Sequence, residues 1–74
     1  MSEKQRLTYF MVTAKMIYLG FRFYNEIDSN NEEWKNPKTG KTFRIRKSDN
    51  YISQEDLINI LEQADVSMEN FQEV

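Results

Sequence analysis

Residues 32–46 read EEWKNPKTGKTFRIR, the pattern of an antiparallel hairpin. Phe43 and Ile45 alternate with Thr42, Arg44 and Arg46, the period-two pattern of a strand with one buried and one wet face. Before them, Asn36-Pro37-Lys38-Thr39-Gly40 is hairpin-loop chemistry. Proline presets φ and glycine permits the positive φ that closes such a turn. A short strand from Glu32 to Lys35, centred on Trp34, and a second from Lys41 to Lys47 are therefore predicted to pair antiparallel.

The period is also two just after Gly20. Phe21, Phe23 and Ile27 are expected on one face, and Arg22, Tyr24 and Glu26 on the other. Asp28-Ser29-Asn30-Asn31 supplies a turn into the next strand. Upstream of Gly20 the spacing turns helical. Leu7, Phe10, Met11, Ala14, Ile17 and Tyr18 form a stripe over a helix predicted for residues 3–19, with Ser2 as N-cap and Gly20 just past the end. Tyr9, Val12 and Met16 fall off that stripe. Wide burial under the sheet is the favoured account of them, and an exposed apolar patch for a partner is the alternative.

Downstream, Ser48-Asp49-Asn50 breaks the strand and Ser53 caps a helix with acids in its first turn. Leu57, Ile60, Leu61 and Ala64 make its buried stripe. A last helical turn, residues 66–71, is expected to tuck Met68 and Phe71 onto the core. The expectation is a single α+β domain over residues 1–74, an α-β-β-β-α two-layer sandwich with a three-stranded antiparallel sheet and both helices on one face.

The chain has 74 residues with 39% hydrophobic and 14% aromatic content, enough for a packed core rather than a disordered segment. A chain of this size buries only about 60% of its unfolded surface. With no cysteine, neither disulfides nor thiolate metal sites can add to its stability, although weak self-association could. No apolar run nears the roughly 20 residues of a membrane span, and Met1 to Arg6 lack the apolar segment of a signal peptide. A cytoplasmic protein is expected.

Net charge is -2, unevenly spread. Residues 1–47 carry all ten Lys and Arg against five acids, a net +5, while residues 48–74 carry seven acids and no base, a net -7. Lys35, Lys38, Lys41, Arg44, Arg46 and Lys47 follow one another without an intervening acid, and Arg22 and Tyr24 could join them across the open side of the sheet. Cations beside an exposed aromatic suit phosphate binding and base stacking. A solvated hairpin whose charge discourages strand pairing is the plainer account, and Glu26, Glu32 and Glu33 are close enough to neutralise part of the patch.

Two familiar motifs fail. Gly40-Lys41-Thr42 would end a phosphate-binding loop, but residue 35 is lysine rather than glycine and a strand follows instead of a helix. Asp28, Asn30 and Glu32 could open a calcium loop, but Glu33 and Thr39 stand where glycine and the closing glutamate belong. No metal and no cofactor are expected.

Taken together, Gly20-Phe21, Asp28-Ser29-Asn30-Asn31 with Trp34, the hairpin Pro37 to Gly40, the basic strand Lys41 to Lys47, and Leu57 to Leu61 followed by Ala64-Asp65-Val66-Ser67 and Phe71 form an ordered pattern. Over residues 7–71 this pattern resembles the HicA family, small toxins of bacterial toxin–antitoxin pairs with a double-stranded-RNA-binding-domain-like fold. The resemblance implies mRNA-cleaving activity resting on a histidine in a Gly-Ser-His signature, and a HicB-type antitoxin partner. Here Asp28 replaces the glycine, and the histidine position is Asn30, counting from Ser29, or Asn31, counting from Trp34. Alternation favours Asn31, which would face away from the indole.

The chain contains no histidine. An asparagine amide neither accepts nor donates a proton near neutral pH, and losing a general acid/base typically lowers rate about 10²–10⁴-fold. The expectation leans away from an enzyme, with Glu32 or Glu33 as a weak substitute base. At the start of the second helix, Ser53-Gln54-Glu55-Asp56 would repel the phosphates of duplex RNA. The leading expectation is a non-catalytic HicA-like domain that binds RNA or an antitoxin-like protein through Arg22, Tyr24, Lys35, Lys38, Lys41, Arg44, Arg46 and Lys47. The alternative is a small acidic interaction module, a regulator or inhibitor, acting through Asp49, Glu55, Asp56, Glu62, Asp65, Glu69 and Glu73.

Overall fold

The structure, a computed structural model, describes residues 7–47 and 51–74. Ser2 and the strand break at residues 48–50 lie outside them. The elements are α1 (Tyr9–Tyr18), β1 (Arg22–Asp28), β2 (Asn31–Lys35), β3 (Thr42–Arg46), α2 (Gln54–Ala64) and α3 (Met68–Glu73). The strands form one antiparallel sheet in the order β1-β2-β3. The expected α+β class holds, with the final helical turn present as α3.

Alternation in the β2–β3 hairpin builds the floor of the core. Trp34 and Phe43 are cross-strand partners that stack at 6.2 Å and 15° on the inner face, beside Ile45. Val12 and Met16 of α1, the expected stripe Leu57, Ile60, Leu61 and Ala64 of α2, and Phe71 of α3 join them in one buried cluster. All three helices therefore cover the same side of the sheet. Ser53 and Ser67 cap α2 and α3 by accepting the Asp56 and Asn70 amides at 3.1 and 3.0 Å. Asp65 ends α2 in the left-handed conformation, which a short polar side chain tolerates.

Gly20 has a positive φ of 107°, and a side chain there would press on Asn36, whose amide lies 3.1 Å from the would-be Cβ. Asn36 is buried and ties the hairpin loop together: its amide reaches the Lys41 carbonyl, its Oδ1 accepts the Lys38 amide, and its Nδ2 reaches the Leu19 carbonyl of α1.

The first helix departs from expectation in length and in orientation. It begins at Tyr9, because the Thr8 hydroxyl accepts the Met11 amide while Leu7 stays extended and bridges to Ile52. Its buried face is Val12, Thr13 and Met16, whereas Phe10, Ile17 and Tyr18 of the expected stripe are 78%, 42% and 80% exposed. Apolar side chains almost encircle this helix, so periodicity does not select a side. Polar contacts do: Tyr9 reaches Glu32 of β2, Lys15 reaches the Phe71 carbonyl and ring of α3, and the Thr13 hydroxyl satisfies itself on the Tyr9 carbonyl at 2.9 Å.

Met16→Ala should therefore cost about 2–5 kcal/mol by loss of packing. Phe10→Ala should stay within about 0.5 kcal/mol of wild type. Urea unfolding of the two variants checks the assignment, and the reverse order would return Phe10 to the core.

Candidate functional site

Among the described residues, no helix covers the outer face of the sheet. Cross-strand pairs place Glu33 opposite Arg44, Asn31 opposite Arg46 and Lys35 opposite Thr42 on that face. Arg44 and Arg46 are exposed, and no ion pair holds either of them among the described residues. Tyr24 is 58% exposed, with the Lys35 ammonium 5.0 Å from its ring centroid. Lys38 and Lys41 are exposed in the hairpin loop at the end of β2 and β3. Lys35, Tyr24, Arg44 and Arg46 thus come together on one surface, with the two loop lysines at its edge.

Arg22 and Lys47 sit elsewhere. The Arg22 guanidinium donates to the carbonyls of Ile17 and Phe21 at 3.0 and 2.7 Å, where it closes the C-terminus of α1. Lys47 turns away from the open face and lies between Glu26 and Glu32, at 3.8 and 3.7 Å.

Two acids expected beside the cations are also withdrawn. Pairing between β1 and β2 shifts register twice, between Phe23 and Asn25 and between Glu26 and Asp28. The first bulge places Asn25 opposite Glu33 and Glu26 opposite Glu32, so Glu26 belongs to the inner side rather than the side of Arg22. Glu32 is buried at 7% exposure and is satisfied there. Its Oε1 accepts the Tyr9 hydroxyl at 2.5 Å and the Trp34 indole N–H at 3.0 Å, and Lys47 faces its Oε2. A carboxylate engaged in this way beneath α1 is not placed to act as a base on the open face; Glu33 is the glutamate that remains there.

Asn31 lies on the outer face, as alternation requires, and Asn30 sits in the turn. Asp28 organises both: its Oδ1 accepts the Asn30 amide at 2.8 Å, and its carboxylate takes the Asn31 Nδ2 at 3.0 and 3.1 Å. The Asn30 amide, then the Asn31 carboxamide, hold the Asp28 carboxyl below the usual carboxylate range, and the charge of Arg46 adds to this. The turn is a fixed hydrogen-bonded unit with no proton carrier near neutrality.

Residues beyond the sequence-based set border the same surface. A cleft of about 430 Å³ between α2 and the free edge of β3 brings Asn59, Gln63 and Tyr51 alongside Arg44, Arg46 and Asn31. The Gln63 Oε1 accepts the Arg44 amide at 3.0 Å, satisfying a backbone donor on the edge strand. Asn59 and Gln63 are spaced by four on the polar side of α2, the one sequence signal that could have grouped them. Of the acidic set, Glu55, Asp56, Glu62, Asp65, Glu69 and Glu73 are exposed, and Asp49 lies outside the described residues. No protein-family model matches this chain, and no curated protein matches it.

Burial, then the hydrogen bond and charge of Glu32, push the Tyr9 phenol well above its ordinary range. The unfolded chain gives up this proton near pH 10 while the native state keeps it, so stability is intact below pH 10 and falls as pH rises further. Tyr9→Phe should flatten that alkaline loss and remove the highest-pH step of phenolate absorbance. A native titration unchanged by the substitution would contradict the Tyr9–Glu32 assignment.

Proposed function

We propose that this chain is a non-catalytic HicA-like binding domain whose open sheet face holds RNA. The observation that carries the reading is the pair Arg44 and Arg46: exposed, on one uncovered face, and without an ion-pair partner among the described residues. Guanidinium groups suit bidentate phosphate contact. Tyr24 adds an aromatic surface for stacking, and Asn59 and Gln63 add amides beside the cations. Single-stranded RNA is favoured over duplex, because the exposed Glu55 and Asp56 at the start of α2 oppose phosphates there.

The reading is non-catalytic because the family's imidazole position is an amide. With Asn31 at the signature position and Glu32 committed to Tyr9 and Trp34, a bound strand meets cations, amides and the carboxylates of Glu33 and Asp56, but no imidazole. The chain would sequester or position RNA rather than cut it.

Labelled single-stranded RNA at low salt should be retained by the protein and stay intact. Arg44→Glu with Arg46→Glu should weaken binding at least about tenfold and lower the salt slope by about 0.7 for each phosphate no longer neutralised. Glu62→Lys with Asp65→Lys should leave binding undiminished. Efficient cleavage, or no retention, would overturn the reading. Retention of a HicB-type or other acidic protein in place of RNA, abolished in the Arg44/Arg46 variant, would move the same face to a protein partner.

A further inference from the structure

Among the described residues, no helix covers the inner side of β1. The buried side chains of α2 meet β3, and α1 reaches the middle strand through Tyr9 and Glu32. Every residue of β1 is exposed. Phe23, opposite Trp34 and in edge-to-face contact with it at 6.1 Å, should belong to the core by its register, yet it is 52% exposed. Ile27 is 39% exposed.

The helix beside this strand is equally open. Lys15 marks the flank of α1 that faces α3, and helical geometry puts Phe10 and Ile17 on the opposite flank, toward β1. Phe10 and Ile17 on that flank and Phe23 and Ile27 on the neighbouring strand put four exposed apolar side chains beside an unpaired strand edge, a shelf interrupted by Glu26. Such a shelf on a domain this small marks a contact surface.

The charge order along β1 says what fits. The strand reads Arg22-Phe23-Tyr24-Asn25-Glu26-Ile27-Asp28. Laid antiparallel against a copy of itself about Asn25, it sets Arg22 across from Asp28 and Phe23 across from Ile27, and the two-fold repeats both pairs. Tyr24 meets Glu26. No like charges face each other. We propose that β1 and the adjoining flank of α1 form an isologous interface between two copies of this chain. The bulges shorten any continuous hydrogen-bonded ladder between the two edges, so the four apolar side chains from each copy carry the contact and the end charges set its register. The joined sheets would place both basic faces on one side, away from the helices, which lengthens the cationic surface. The interface itself does not depend on what that surface binds.

Sedimentation equilibrium on the full chain tests the proposal. A mass of two chains should appear with a dissociation constant below about 1 mM. Phe23→Lys should weaken association at least about tenfold, with an unchanged circular dichroism spectrum, since the side chain is half exposed. Arg22→Asp and Asp28→Arg should each be monomeric alone and form a one-to-one dimer when mixed, because only the mixture restores both opposite-charge pairs. A wild type that is monomeric at about 1 mM would overturn the proposal, as would a dimer indifferent to Phe23→Lys. If the charge variants unfold, the wild-type and Phe23→Lys measurements still decide it.

Discussion

The stack of Trp34 on Phe43 is the contact from which the rest of the molecule follows. The two rings are cross-strand neighbours on the inner face of the β2–β3 hairpin. Because side chains on a strand alternate, burying these rings commits Glu32 and Ile45 to the interior. It sends Asn31, Glu33, Lys35, Arg44 and Arg46 outward in the same step. The basic surface is the obligatory back of the hydrophobic core, and neither can be moved without the other.

Burying Glu32 creates a demand that shapes the neighbouring elements. A carboxylate under a helix is costly unless hydrogen-bonded and paired. Tyr9, Trp34 and Lys47 meet that demand from α1, β2 and the end of β3, and Tyr9 thereby sets how α1 is rotated about its axis. The rotation seats Val12 and Met16 in the core and leaves Phe10 and Ile17 outside. The bulge in β1 brings Glu26 to the same lysine, so one cation offsets two carboxylates and the open face keeps fewer acids than its sequence neighbourhood contains. Charge on the outer face and apolar exposure beside β1 are linked consequences of one interior carboxylate.

The absence of histidine bears on chemistry more than on shape. Asn31 keeps a place in the turn by donating to Asp28, so the segment stays ordered while lacking a group that could exchange protons near neutrality. Under the proposed reading, such a surface would act by occupancy, holding or shielding an anionic chain.

The strand alternation of β2 and β3, the hairpin closed by Pro37 and Gly40, the whole buried stripe of α2, and the outward placement of Asn31, Lys35, Arg44 and Arg46 were legible in the order of the residues alone. Each rests on contrast between neighbouring residues: an apolar stripe on an otherwise polar helix, or apolar and charged residues in strict alternation. Where contrast was missing, contacts between distant residues settled the outcome. The all-round apolar α1 was oriented by its bond to Glu32, and β1 lost its simple period to two bulges. Arg22 and Lys47 were drawn from the basic set by carbonyls and carboxylates distant in sequence. Local pattern cannot carry such information, because the partners that settle it meet only when the chain is folded.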